Sequence, residues 1–416
     1  MFENSDLTKY LEDLKYLVSI DSPTGHIKGI NEIINFFTKN AQELGLKAIR
    51  KNYNTEEADC LLITNAEDEE NIEILMLAHM DTVYEVGVAK KRPLTINGNK
   101  ALGAGVIDDK GGALLGLYAL KKIDLSQIKI GLLLNSNEEK GSKGNHIFIE
   151  EIAKKSKYCL VLEATRENGA CVDKRFGVAT YKISFSGTPA TVHNFKDGMS
   201  PIYEVCKFIK TFEMMNNNNL GSLINPVILE TPIPDLNSIQ KDIHIGLQVR
   251  FADERFFDNV QTKIEQQLSR MPNNVSMSVE QVSFYPCMPQ TFKQKELKRM
   301  VETAGNRNGI SILWETSFGG SDGCYASRIE TCMVVDGMGP LGGNFHKEDE
   351  YLDISTVEPK CNIIIDIANQ IIKIKHLQIQ KDMQAEKHRL GKITKELALK
   401  EKELEEPTKD KENEPK

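Results

Sequence analysis

Two histidines and a group of carboxylates stand where apolar, strand-like runs end. His79 lies in Leu77-Ala78-His79-Met80-Asp81-Thr82, at the end of the run 72–78. A neutral imidazole is a good ligand for zinc or a similar ion, and Asp81 is placed to accept the other ring N–H and fix the tautomer. Asp108 and Asp109 are adjacent in the glycine-rich stretch Gly103-Ala104-Gly105-Val106-Ile107-Asp108-Asp109-Lys110-Gly111-Gly112, a loop suited to face a cation. Glu138 and Glu139 follow the run 128–134. Paired carboxylates at a strand end can divide labour, one binding metal and the other moving a proton. Glu163 closes Tyr158-Cys159-Leu160-Val161-Leu162-Glu163. Far along the chain comes Gly342-Gly343-Asn344-Phe345-His346-Lys347-Glu348-Asp349-Glu350, preceded by Gly319-Gly320-Ser321-Asp322-Gly323. Glycine and asparagine there suit close approach of backbone to a ligand.

Each segment alone has a plainer explanation: a structural histidine, an N-capping aspartate, a solvated acidic turn, a carboxylate at a sheet edge. A phosphate cradle is a weak rival, because the G-x-x-x-x-G-K-[ST] pattern is absent. Together the segments supply the nitrogen and oxygen donors of a hard-to-borderline metal site.

The elements that must position these groups are readable from periodicity. Residues 6–19 and 28–45 repeat apolar residues at helical spacing, with the turn Asp21-Ser22-Pro23-Thr24-Gly25 between them. Runs at 60–64, 72–78, 128–134 and 158–163 predict strands, and 111–122 and 143–155 predict helices. Buried strands alternating with helices predict a layered α/β sheet, whose chemistry gathers at the carboxyl ends of the strands. From about residue 174 the pattern changes. Residues 177–185 and 243–251 alternate like half-exposed strands, each followed by a helical stretch, which predicts an inserted α+β domain ending near Pro286. The expected organisation is a catalytic domain over 1–175, an inserted lid/dimerisation domain over 176–286, the rest of the catalytic domain over 287–375, and a charged tail over 376–416. In the tail, Leu390, Ile393, Leu397 and Leu404 recur at roughly helical spacing, which suits a solvated helix or short coiled coil, and disorder is expected from Pro407.

Bulk properties narrow the function classes. The 416 residues carry a formal charge of -8, which gives no general attraction to nucleic acid or anionic membrane. No run is long and apolar enough to span a bilayer. The first residues have neither the basic nor the apolar region of a signal peptide. None of the eight cysteines forms a C-x-x-C pair, and free thiols in a reducing compartment are expected. The expected location is the cytoplasm.

The segments AHMDTVYEVG, GAGVIDDKGG, NEEKGS, GGSDGCY and HKEDEYLDIS occur in an order and spacing that make the chain recognisable over residues 5–375. It resembles the zinc aminopeptidase/carboxypeptidase family that contains glutamate carboxypeptidase, acetylornithine deacetylase and aminoacylase, and looks most like the glutamate carboxypeptidase (carboxypeptidase G) branch. The resemblance implies an α/β/α zinc-peptidase-like catalytic domain and two zinc ions, for which cobalt or manganese can substitute. His79 and Glu163 would hold one ion, Glu139 and His346 the other, and Asp108 would bridge them. Asp81 would orient His79, Glu138 would be the general base, and the Asp108–Asp109 peptide would be cis. In the inserted segment, Asn237 and Arg250 match in spacing a pair that grips the substrate carboxylate, a group that suits an arginine fork. Gly343 is counted with the substrate contacts. The resemblance also implies a homodimer formed through the inserted domain.

The chain departs from the family pattern at Gly187-Thr188-Pro189-Ala190-Thr191-Val192-His193. Thr191 occupies the spacing of the usual lid histidine and His193 lies two residues later, which leaves open whether His193 stabilises the oxyanion. The expected activity is hydrolysis of an amide beside a free carboxylate, by a carboxypeptidase or dipeptidase releasing a C-terminal residue such as glutamate. An N-acyl-amino-acid deacylase would use the same groups. A protein of another class, an inactive binding scaffold, would keep the fold without needing Glu138.

Overall fold

The computed structural model describes residues 1–53, 57–67, 71–217, 221–232 and 235–405. By contacts the chain divides into two units, Met1–Ile367 and Ala368–Lys416.

The first unit is built on a six-stranded sheet in the order Lys47–Lys51, Cys60–Thr64, Ile130–Asn135, Ile72–His79, Ser156–Val161, Met333–Val335. The last four run parallel, and Cys60–Thr64 pairs antiparallel both with Ile130–Asn135 and with Lys47–Lys51. Strands Cys60–Thr64 and Ile130–Asn135 are buried at every position, as expected of a sheet covered on both faces. Side chains alternate between the two faces. Leu75, Leu77, Leu133, Cys159 and Val161 pack with Phe148, Ile149 and Ile152 of helix His146–Lys154 and with Tyr325 of the short helix Asp322–Ser327. Helix Lys110–Leu120 packs against strand Ile72–His79 and is buried throughout, consistent with its apolar, glycine-rich sequence. Its Gly112 has a spatial reason: a Cβ there would run into Asp109 Oδ1 and the Leu162 carbonyl.

Residues 177–285 carry a separate antiparallel sheet in the order Leu223–Glu230, Asp242–Phe251, Gly177–Ser186, Ser276–Tyr285. The two central strands alternate buried and less buried residues along their whole length. Their inner face packs on Val205, Phe208 and Phe212 of helix Ile202–Glu213 and on Val260 and Ile264 of helix Glu254–Ser269. Periodicity locates the central strands but not the outer two. Leu223–Glu230 is an edge strand interrupted by Pro226, with Val227, Ile228 and Leu229 exposed, and Ser276–Tyr285 mixes polar and apolar residues about a register shift at Gln281/Ser283. Neither keeps an uninterrupted alternation: Pro226 breaks the first, and the bulge at Gln281/Ser283 breaks the second after Glu280.

A third sheet joins distant segments: Gly342–Gly343, Tyr351–Asp353, Lys100–Leu102 and Thr95–Asn97. It brings the His346 loop beside the loop that carries Asp108. The last helix runs from Val357 to Glu405, so the helical tail begins well before residue 376. Val357, Cys361 and Ile364 are buried within the first unit. In the second unit Leu377, Leu390, Ile393 and Leu397 are exposed. The disorder expected from Pro407 falls outside the described residues. No described helix is long and apolar enough to cross a membrane.

Candidate active site

Three neighbouring parallel strands deliver the first groups. His79 is the last residue of Ile72–His79. Glu138 and Glu139 open a 3-10 turn, Glu138–Lys140, just beyond Ile130–Asn135. Glu163 follows Ser156–Val161 by two residues. The chain crosses from one side of Ile72–His79 to the other between the second and third of these strands, which opens a crevice at their carboxyl ends. Asp108 and His346 enter from loops, with His346 in the left-handed region at φ 61°. The Asp108–Asp109 peptide is cis.

The two oxygens of Asp108 face different histidines. Oδ1 lies 3.2 Å from His79 Nε2 and Oδ2 lies 3.0 Å from His346 Nε2. Glu163 Oε1 is 3.6 Å from His79 Nε2, and Glu139 Oε2 is 3.4 Å from His346 Nε2. Glu139 Oε1 is buried with no hydrogen-bond partner among the described residues. Within 4.8 Å of one another lie ligand atoms of His79, Asp108 and Glu139, and likewise of His79, Asp109 and Glu163. Of the two aspartates, Asp108 is the better bridge. Asp109 is fully buried, its Oδ2 accepts the His79 backbone N–H at 3.3 Å, and it supports the strand end from behind. Carboxylate and imidazole donors, split about one shared aspartate and with one orphaned oxygen, fit a two-cation site.

The electrostatics carry the same message. Burial raises Glu139 to about 7 and Glu163 to about 8, with the Asp108 charge adding to both. Burial also raises Glu138 well above the usual range. Hydrogen bonds to Asp108 and Glu139 raise His346 to about 10. Burial opposes charge on His79, but its bonds to Asp108 and Asp81 outweigh that and raise it well above the ordinary value. Burial disfavours ionised Asp108 too, yet the two histidines hold it low. So many acids in one buried place need positive charge, and bound cations would take over from the imidazolium protons.

Supporting groups surround the cluster. Asp81 is fully buried: its carboxylate accepts the backbone N–H groups of Glu138 at 3.0 Å and Glu139 at 3.1 Å and the Thr24 hydroxyl at 2.6 Å. His79 Nδ1 lies 3.0 Å from the Asp81 carbonyl and 3.4 Å from its Oδ1, so one residue holds both the imidazole and the Glu138–Glu139 turn. The Tyr285 hydroxyl donates to the Glu138 carbonyl. Glu350 is buried and accepts from the N–H groups of Gly105 and Ile107 at 3.0 Å each, of Asp108 at 3.3 Å, and from the Tyr84 hydroxyl at 2.6 Å. It ties the Asp108 loop to the segment carrying His346. No local pattern signals this role, because Glu350 stands in an exposed-looking acidic run.

A cavity of about 270 Å³ opens on Asp108, Glu138, Glu139, Glu163 and His346. Its wall includes Arg166, Arg175 and Ser317, which residue pattern does not single out: an arginine at a strand end is usually solvated. Arg250 does not line the cavity but reaches the segment that supplies Ser317, donating from Nη1 to the Phe318 carbonyl at 2.9 Å. The other expected substrate contacts do not line the cavity. His193 and Asn237 are exposed, and the pairing of Thr191 with Ser238 brings them to one end of a short two-stranded ribbon. Gly343 is buried in a strand pair with Tyr351, where a Cβ would collide with the Glu167 carboxylate.

The profile of peptidase family M20/M25/M40 matches residues 75–370, a span that holds every residue of this cluster. The chain belongs to peptidase family M20/M25/M40. Members are metal-dependent hydrolases, and this chain is one of them. Carboxypeptidase G2 from Pseudomonas sp. (strain RS-16) is 26% identical over 360 residues, covering 83% of this chain and 85% of that protein. Acetylornithine deacetylase from Buchnera aphidicola subsp. Schizaphis graminum is 24% identical over 311 residues, covering 70% of this chain and 78% of the relative. A tripeptidase structure from Staphylococcus aureus superposes with a TM-score of 0.69 at 21% identity, covering 88% of this chain and 99% of that one. The family thus includes carboxypeptidase, deacetylase and peptidase relatives on one fold.

Proposed function

We propose that the protein is a two-zinc carboxypeptidase or dipeptidase that cleaves the amide beside a free carboxylate and releases a C-terminal residue such as glutamate. The observation that carries this reading is Asp108 presenting one oxygen to each of two histidines, each of which also has its own glutamate. His79 and Glu163 would hold one ion, Glu139 and His346 the other, and Asp108 both. Bound there, a pair of divalent ions supplies the Lewis acidity that polarises an amide carbonyl and brings water toward neutral pKa. Glu138, at the cavity wall, takes the proton of the attacking water and delivers it to the leaving nitrogen. Asp81 and the Tyr285 hydroxyl keep its turn in place. Arg250 and Asn237 grip the substrate carboxylate, and the Arg250 contact with the carbonyl of Phe318, which lies in the chain between the cavity-lining Ser317 and Gly319, supports that role.

The reading extends to the whole chain: a catalytic domain over 1–175 and 287–375, and a lid over 176–286 through which two copies pair. Eight unpaired cysteines, seven of them buried, support a reducing, cytoplasmic location. The second reading, an N-acyl-amino-acid deacylase, is favoured by the acetylornithine deacetylase relative. The two are separated by release of amino acid from C-terminal-glutamate dipeptides and from N-acyl amino acids, with zinc or cobalt added and a chelator control. Chelator-sensitive, metal-restored cleavage supports the reading, and the preferred panel chooses between peptidase and deacylase. No turnover of either panel by metal-loaded protein sinks both.

A further inference from the structure

The two guanidinium groups of the cavity wall are in different situations. Arg175 is spent. It is 4% exposed, bonds Asp336 Oδ2 from Nε at 2.6 Å, and donates from Nη1 to the carbonyls of Gly319 and Gly320 at 3.1 and 3.0 Å. It holds the Ser317–Gly320 segment in shape. Arg166 is not spent. Its Nη2 donates to Ser317 Oγ at 2.8 Å, and its ion pair with Glu315 is loose, Nε to Oε1 at 3.6 Å between side chains 26% and 34% exposed. At 3.6 Å that pair is too long for a hydrogen bond, so it leaves guanidinium N–H groups available to another acceptor.

Ser317 Oγ accepts from Arg166 at 2.8 Å and from Arg175 and the Gly319 N–H at 3.3 Å each. Its own proton has no acceptor among the described residues. Arg166 and Ser317 therefore present two donors to the cavity. Of the carboxylates facing them, Asp108, Glu139 and Glu163 are assigned to the metals and Glu138 to proton transfer, so the charge of Arg166 is left for something that enters.

We propose that Arg166 and Ser317 form a seat for a second carboxylate on the substrate, so that the enzyme selects an acidic side chain on the residue it releases. This rests on the hydrolase reading above, in which Arg250 takes the main-chain carboxylate. Arg250 addresses the Phe318 carbonyl and Arg166 the Ser317 hydroxyl. Consecutive residues are about 3.8 Å apart along the chain. The two guanidinium groups are thus each held by one of two adjacent residues of a single segment, a placement compatible with gripping the two carboxylates of one acidic amino acid. Arginine with a hydroxyl donor is a strong carboxylate seat in a partly desolvated wall.

The test compares kcat/KM for two substrates sharing one acyl group, one ending in glutamate and the other in its neutral isostere glutamine, using the full-length zinc-loaded protein. Wild type should prefer glutamate. Arg166→Gln should cut the glutamate/glutamine ratio by roughly ten- to a hundredfold, as expected for loss of a charge-assisted contact, and Arg166→Lys should retain part of it. A wild-type ratio near one, or an equal loss on both substrates in Arg166→Gln, overturns the proposal and leaves Arg166 a structural residue. Calorimetric binding of free glutamate and glutamine to the same proteins separates this from the parent reading. If turnover is absent but glutamate is still bound preferentially, and Arg166→Gln abolishes that preference, the seat stands and the hydrolase reading falls. If neither turnover nor preference is found, both fall.

Discussion

Replacing Glu350 tests whether the metal site is assembled by a buried carboxylate that is not itself a ligand. Its two oxygens take four donors: the N–H groups of Gly105, Ile107 and Asp108 and the Tyr84 hydroxyl. In Glu350→Gln the amide oxygen keeps the Ile107 and Asp108 N–H groups. The new NH2 can donate to the Tyr84 oxygen, but it meets the Gly105 N–H donor to donor. One buried donor is stranded, a loss of about 1–3 kcal/mol. Glu350→Ala strands the three backbone N–H groups, while the Tyr84 hydroxyl keeps the Lys347 carbonyl at 2.9 Å, and opens a void, for an expected loss of about 3–5 kcal/mol. Asp108 is the residue most affected, since its own N–H is one of the four. Metal affinity in Glu350→Gln should fall about 10–100-fold, the usual effect of removing a partner that orients a ligand. The assay is a zinc titration against a competing chelator, with thermal unfolding of the chelated protein as the stability reference. A Glu350→Gln protein that unfolds earlier yet binds zinc as tightly as wild type would refute the link between this carboxylate and the site.

Three other outcomes are expected. Glu138→Gln should keep its full metal complement and lose about 10²–10⁴-fold in kcat, as removal of a general base does; loss of metal together with activity would make Glu138 a ligand instead. In the chelated protein, Glu139 at about 7, Glu163 at about 8 and His346 at about 10 all lie above their ordinary values, so the folded state binds more protons than the unfolded one. That stability is complete below the ordinary carboxylate range and is lost as pH rises toward 10, so the chelated protein's Tm should fall from pH 5 to pH 9 and the gain on adding zinc should grow; a chelated Tm that rises over this range contradicts the assignment. Removing residues 376–416 should leave Tm and turnover within error of the full chain, because no group of the site lies there; a large drop in either, measured by thermal scan and by the dipeptide assay, would give the tail a role in the catalytic unit.

Much of the site is legible in the amino-acid sequence alone, for a local reason. Strands buried on both faces read as continuous apolar runs, so a polar residue at the end of one is conspicuous. His79, Glu138, Glu139 and Glu163 each stand out that way, and the helices show in their 3.6-residue repeat. The central strands Gly177–Ser186 and Asp242–Phe251 announce themselves by alternation, because one face is buried against two helices. What local pattern cannot supply is who meets whom across long separations. The pairing of Lys100–Leu102 with Tyr351–Asp353 brings the Asp108 and His346 loops together, and nothing within either segment encodes the other. Glu350 looks like one more surface acid in HKEDE, and only folding surrounds it with the N–H groups of a loop more than two hundred residues away. Arg166 and Arg175 are alike as residue types. The tertiary structure gives one of them a buried aspartate and leaves the other facing the cavity, because a charge is spent or free according to its neighbours, and neighbours are a property of the fold.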